Sequence, residues 1–101
     1  MYLVRDIMYC KPVKVRPMVE KFLALSKVLA AQGWGPMRVT TDVAAERYWT
    51  VVAEMEVPSM EQHAEMARKS MQMPELQAIM KYYHDLVIEG RREIYNIEGQ
   101  A

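Results

Sequence analysis

Cysteine is all but missing from this chain: Cys10 stands alone in 101 residues. One thiol excludes an internal disulfide framework and fits a reducing compartment. Net charge is missing too, because thirteen basic residues meet thirteen acidic ones. No overall field then steers the chain toward nucleic acid or an anionic membrane surface. Long apolar runs are absent, and none approaches the roughly 18 residues that a membrane span needs. The first apolar stretch carries Arg5 and Asp6, so it does not read as a signal peptide. Two histidines, His63 and His84, and the lone cysteine lie far apart and match no metal-ligand spacing. These absences predict one cytoplasmic domain over residues 1–101, with no metal, no cofactor, no nucleic acid and no membrane.

What is present is apolar. Hydrophobic residues make up 51% of the chain, enough for a core with some left for an interface. Ten methionines are many for this length. Methionine fills irregular gaps and adapts to varied contacts. The ten therefore serve adaptable packing or line a pocket for an apolar ligand.

The pattern of elements is strand, helix, strand, strand, helix, strand. The first strand spans Tyr2 to Cys10, rich in β-branched and aromatic types. Each of its faces carries one charge among apolar residues, which predicts that both faces are partly covered. Pro12 ends the strand, and Pro17 suits the first turn of a helix over Arg16 to Gln32. Met18, Phe22, Leu25 and Leu29 form its apolar stripe, and Gly33 is placed to stop it. Met37 to Thr41 is the second strand. Tyr48 to Val57 is the third, with Trp49, Val51, Ala53, Met55 and Val57 facing the helices. Ser59 and Gln62 make a capping box for the second helix. Pro74 divides that helix into Met60–Gln72 and Pro74–Glu89, because proline lacks the donor a continuous helix needs. Leu76, Ile79, Met80, Tyr83 and Val87 make the stripe of the second segment, and Gly90 ends it. Arg92 to Glu98 is the last strand, and Gly99 to Ala101 is a fraying tail. A βαββαβ order of this kind predicts an α+β, ferredoxin-like fold: a four-stranded antiparallel sheet with its helices on one face.

The whole chain resembles the dimeric α/β-barrel superfamily, in its NIPSNAP and antibiotic-biosynthesis-monooxygenase-like branches. The resemblance rests on the element order and on the turn Lys11-Pro12-Val13-Lys14-Val15. It rests also on the interrupted helix at Met73-Pro74-Glu75-Leu76-Gln77, and on the close Gly90-Arg91-Arg92-Glu93-Ile94-Tyr95-Asn96-Ile97. That family more usually has glycine where Val13 stands. The resemblance implies a homodimer in which two sheets pack face to face, a dimeric α/β barrel. It does not imply one activity, since a fold hosts many.

Several residues are candidates for chemistry. His63 falls on the inward side of the second helix, where a buried histidine beside a cavity can act as a general base. The same position also suits a histidine that is simply packed at the core boundary. His84 falls on the solvent side. Trp34, between Gly33 and Gly35, either caps the mouth of a cleft or packs over a helix end. Trp34, His63 and Tyr83 are the candidate ligand-binding residues. Glu54 and Glu56 share a strand face that Arg5 or Asp6, and Arg92, can join. Arg5, Glu54, Glu56 and Arg92 are candidates for a dimer-interface ion-pair network, with paired carboxylates at a site as the other reading. RNA-binding RRM domains share the element order, but the third strand here lacks their basic, aromatic consensus, and Glu54 and Glu56 would repel phosphate. Two functions remain. One is a dimer that binds a small apolar molecule. The other is a cofactor-independent, monooxygenase-like enzyme acting on an apolar or aromatic substrate.

Overall fold

The computed structural model describes residues 1–100, so the last residue of the tail, Ala101, lies outside the described residues. Strand β1 (Tyr2–Cys10) is followed by α1 (Val15–Ala31), β2 (Met37–Thr41), β3 (Thr50–Val57), α2 (Met60–Met71) and α3 (Pro74–Met80). A 3-10 turn over Tyr83–Asp85 then leads into β4 (Val87–Asn96). The four strands form one sheet in the order β2-β3-β1-β4, each pair antiparallel. This is the ferredoxin-like arrangement that the element order predicts.

Side chains alternate across a sheet, so one register fixes both faces. Val4 lies opposite Met55, and Met8 opposite Val51. These residues and their same-face neighbours meet the helices. Met18 and Phe22 of α1 pack on Cys10, Val51 and Ala53. Leu29 of α1 and Leu76 of α3 pack on Val4, Met55 and Val57. Burying each large apolar side chain contributes roughly 1.5–3 kcal/mol, so these two clusters hold the helices on the sheet. Met8, Met37, Met66, Met73 and Met80 fill in around them. The methionines are therefore mainly packing between helices and sheet.

Local signals account for the element ends. Ser59 Oγ accepts from the Gln62 N–H at 3.1 Å and caps α2. Gly33 takes a left-handed φ of 81° just past α1, as a helix stop requires. Pro74 opens α3 as a separate segment.

Three expectations need correction. Strand β3 begins at Thr50, and Trp49 is not on its apolar face. Asp42 Oδ1 accepts from the Thr50 N–H at 2.9 Å, and Thr50 Oγ1 donates to the Arg47 carbonyl at 2.7 Å. These bonds close the β2–β3 loop and put Trp49 at φ 63° with its side chain exposed. The second correction is α3, which stops at Met80 and not at Glu89, because Tyr82 turns left-handed at φ 66°. The third follows from it. Strand β4 starts at Val87, so Val87 is not helical and Gly90 is inside the strand rather than a helix stop. A Cβ on Gly90 would lie 2.8 Å from Met8 Sδ, so the glycine leaves room for that thioether.

Candidate functional site

The charges on the two faces of β1 have different fates. Arg5 is on the face without helices. Asp6 is on the face with them. Asp6 lies opposite Arg92 of β4, and Arg92 Nε donates to Asp6 Oδ1 at 2.7 Å. The pair sits on the floor of a 540 Å³ cleft between the β1–β4 edge and the chain that follows α3. Tyr83 and His84 form part of its wall, and Met8 and Gly90 add to the floor. The Tyr83 and His84 rings are 4.0 Å apart between centroids. His84 is solvent-exposed, as the helical spacing suggests, yet it stands on the cleft rim.

His63 lies in the first turns of α2, where its N–H donates to the Ser59 carbonyl at 3.2 Å. Its side chain is only 8% exposed. Burial pushes the imidazole below the ordinary histidine range, the positive charge of Arg92 lowers it further, and Asp6 opposes them. His63 does not line the cleft. Its link to the cleft is electrostatic, through Asp6 and Arg92.

Trp34 belongs elsewhere. It lines a second cleft of 440 Å³, together with Val57 and with Gln62, Glu65, Met66 and Lys69 of α2. The Trp34 N–H donates to the Leu29 carbonyl at 3.0 Å, so the Gly33–Gly35 turn also closes α1. The structure thus divides the three candidate ligand residues. Tyr83 stands at one cleft, Trp34 at another, and His63 on the helix between them. The residues missing from the sequence reading of the site are Asp6 in its role as cleft floor, Arg92 as its partner, and His84. A signal for Asp6 exists: it is the one charge on the β1 face that otherwise reads Tyr2, Val4, Met8 and Cys10.

The helix-free face is built differently. Ile7, Tyr9 and Val52 form a small buried cluster there. They are 4%, 5% and 7% exposed. Arginines cover Tyr9. The Arg47 guanidinium lies 3.8 Å from the Tyr9 ring centroid, and Arg91 lies 5.8 Å from it. Arg5 pairs with Glu54 at 3.2 Å and with Glu93 at 3.3 Å. Arg38 Nε also donates to Glu54, at 2.9 Å. Arg47 pairs with Glu89 at 3.4 Å, and Arg91 with Glu93 at 2.8 Å. Arg5, Glu54 and Glu56 therefore share this face as the sequence suggests. Arg92 does not, because one residue of register puts it on the helix side. Arg91 and Glu93 take its place.

Among the described residues no group of three or more His, Cys, Asp or Glu side chains could hold a metal ion. No helix among them is long and apolar enough to cross a membrane.

No protein-family model and no curated protein matches this sequence. Solved structures do match its fold. A NIPSNAP-like domain protein of Burkholderia xenovorans, described as uncharacterised, superposes with a TM-score of 0.82 at 16% identity, over 99% of this chain and 87% of that one. A second NIPSNAP domain protein of the same organism gives 0.79 at 13% identity, over 100% and 98%. A Nitrosomonas europaea protein, provisionally described as an antibiotic biosynthesis monooxygenase, gives 0.75 at 12% identity, over 98% and 100%. The chain has the ferredoxin-like fold seen in these NIPSNAP-like and monooxygenase-like structures.

Proposed function

We propose that this chain is a cytoplasmic homodimer, joined through the helix-free sheet faces, that binds a small molecule with both an apolar and a polar part in the β1–β4 cleft. One observation carries the binding reading. The Asp6–Arg92 pair lies at the floor of a 540 Å³ cleft whose wall holds Tyr83 and His84. That volume lies within the about 300–1,000 Å³ typical of small-molecule sites, and the lining is mostly polar, with Asp6, Glu89, Arg91 and Arg92 around Met8 and Tyr83. Met8 and Tyr83 offer contacts to the apolar body of a ligand. Arg92 and Asp6 offer a donor and an acceptor to its one polar group. The dimer reading is supported by the ion pairs of the helix-free face, which offer charged contacts to a second copy.

The test is a fragment screen followed by NMR. Ligands should shift the Met8, Tyr83 and Arg92 signals, and Arg92→Ala should weaken them at least tenfold. Hits that shift only Trp34 and Met66 would move the site to the other cleft. Hits that spare both clefts would reject the reading.

A monooxygenase-like enzyme is the second reading. The burial of His63 favours it, because burial lowers the imidazole pKa and so favours the unprotonated form that a base needs. Dioxygen uptake with phenolic substrates, lost in His63→Ala, would support this reading. Methionine packing between helices and sheet favours binding over turnover, because little polar machinery reaches the interior.

A further inference from the structure

Helix α3 is only seven residues long and ends without a glycine or a side-chain cap of its own. The last carbonyls of a helix have no intrahelical donor, so something else must satisfy them. Here the donor comes from 60 residues away in sequence. Lys21 Nζ of α1 lies 2.8 Å from the Ile79 carbonyl oxygen and 2.8 Å from that of Lys81. No other side chain among the described residues bonds to either oxygen. Directly after this point the chain reverses. Lys81 leaves the helical region with ψ 133°, Tyr82 is left-handed, and the 3-10 turn presents Tyr83 and His84 to the cleft.

We propose that Lys21 is a positioning residue for the cleft: its ammonium latches the reversal that carries Tyr83 and His84 against β1 and β4. The proposal rests on the reading of that cleft as the binding site. A charged donor suits this task, since hydrogen bonds from an ionised group are about twice as strong as neutral ones, and a cation is favoured at a helix C-terminus. Downstream of the latch Tyr83 and Leu86 pack against the core cluster, and the backbone bonds before β4 are few. The Asp85 N–H donates to the Tyr82 carbonyl at 3.0 Å, the Leu86 N–H to the Tyr83 carbonyl at 3.0 Å, and the Lys11 N–H to the Leu86 carbonyl at 2.9 Å. Those three amides report on the latch. The Leu76 and Gln77 amides, both bonded to the Met73 carbonyl, report on the start of α3.

Hydrogen exchange on the full chain separates a latch from general stabilisation. In Lys21→Met, exchange at Lys11, Asp85 and Leu86 should rise at least tenfold, while Leu76, Gln77 and the β1–β3 amides stay unchanged. Lys21→Arg, which keeps the charge and the donors, should restore protection. A rise shared equally by all amides, or none at all, overturns the latch. The same samples are titrated with the aromatic anion 8-anilinonaphthalene-1-sulfonate. If the wild type shifts its Tyr83 and Arg92 signals and Lys21→Met does so at least fivefold more weakly, Lys21 positions the binding wall. Localised exchange without any shift at Tyr83 or Arg92 in the wild type overturns the positioning role together with the cleft reading. Such shifts with uniform exchange overturn the latch alone.

Discussion

Arg92 and Asp6 bond across β1 and β4 at 2.7 Å, on the side of the sheet that carries the helices. Both charges act on His63, with opposite signs. Burial and Arg92 together prevail, so the folded chain holds His63 below the ordinary histidine range. The unfolded chain binds that proton more readily. Stability from this group is then complete above the unfolded value of about 6.5. It falls as pH drops from there toward the folded value, because folding must release or bury the proton. Thermal melts from pH 8 to pH 5 should show the loss, and His63→Gln should flatten that part of the profile. Asp6→Asn removes the charge that opposes the shift, so it should move the His63 titration to lower pH by NMR. An upward movement would contradict the arrangement.

Val13 provides a second test. It is 80% exposed, β-branched, and held at φ 61° in the turn after β1. The left-handed region costs a residue with a Cβ about 1–2 kcal/mol. Glycine removes that cost but loses more chain entropy on folding, so Val13→Gly should stabilise by up to about 1 kcal/mol. That corresponds to a rise in Tm of roughly 4–8 °C per kcal/mol for a domain of this size. A lower Tm in Val13→Gly would mean that the valine side chain makes contacts that outweigh its backbone strain.

Much of the fold was legible from periodicity. Met18, Phe22 and Leu29 repeat at helical spacing, Val51 to Val57 alternate, and the structure buries both sets as the pattern requires. The errors fall where long-range bonds override local preference. Trp49 continues the alternation of β3 perfectly, yet Asp42 and Arg47 bond to Thr50 and close the loop one residue later. The run from Lys81 to Glu89 reads as helix, yet Tyr82 turns left-handed and Lys21 of α1 donates to the Ile79 and Lys81 carbonyls. The site was legible only in part. A charge at Asp6 on an apolar strand face is visible in one dimension, but its partner depends on the β1–β4 register. Choosing Arg92 for the helix-free face was a one-residue error of parity, and parity decides everything in a sheet.

Cys10 should be inert in the native state. It is 2% exposed, and burial pushes its thiol above the ordinary range, so little thiolate forms. An aromatic disulfide reagent at pH 8 should label it only at the rate of unfolding. Adding urea should accelerate labelling in step with the unfolded fraction. Rapid full labelling without denaturant would show that the β1 end opens locally.

The helix-free face yields the sharpest test of assembly. Glu54 accepts from Arg5 and Arg38, two cations on the neighbouring strands. Glu54→Arg would place three guanidinium groups together and leave Arg5 only its partner Glu93. Glu54 is only 12% exposed, but an arginine there can extend its guanidinium from the open sheet face into water, so the monomer should keep its fold with a modest loss of stability. A face-to-face dimer would not, because the second copy brings the same charges to the same patch and excludes the water that screens them. Circular dichroism of Glu54→Arg should therefore match the wild type, while sedimentation should show a dimer for the wild type and a monomer for the variant. Added salt should partly restore the variant dimer by screening the repulsion. A wild type that sediments as a monomer at micromolar concentration would remove the dimer. An unchanged Glu54→Arg dimer would place the interface on another surface.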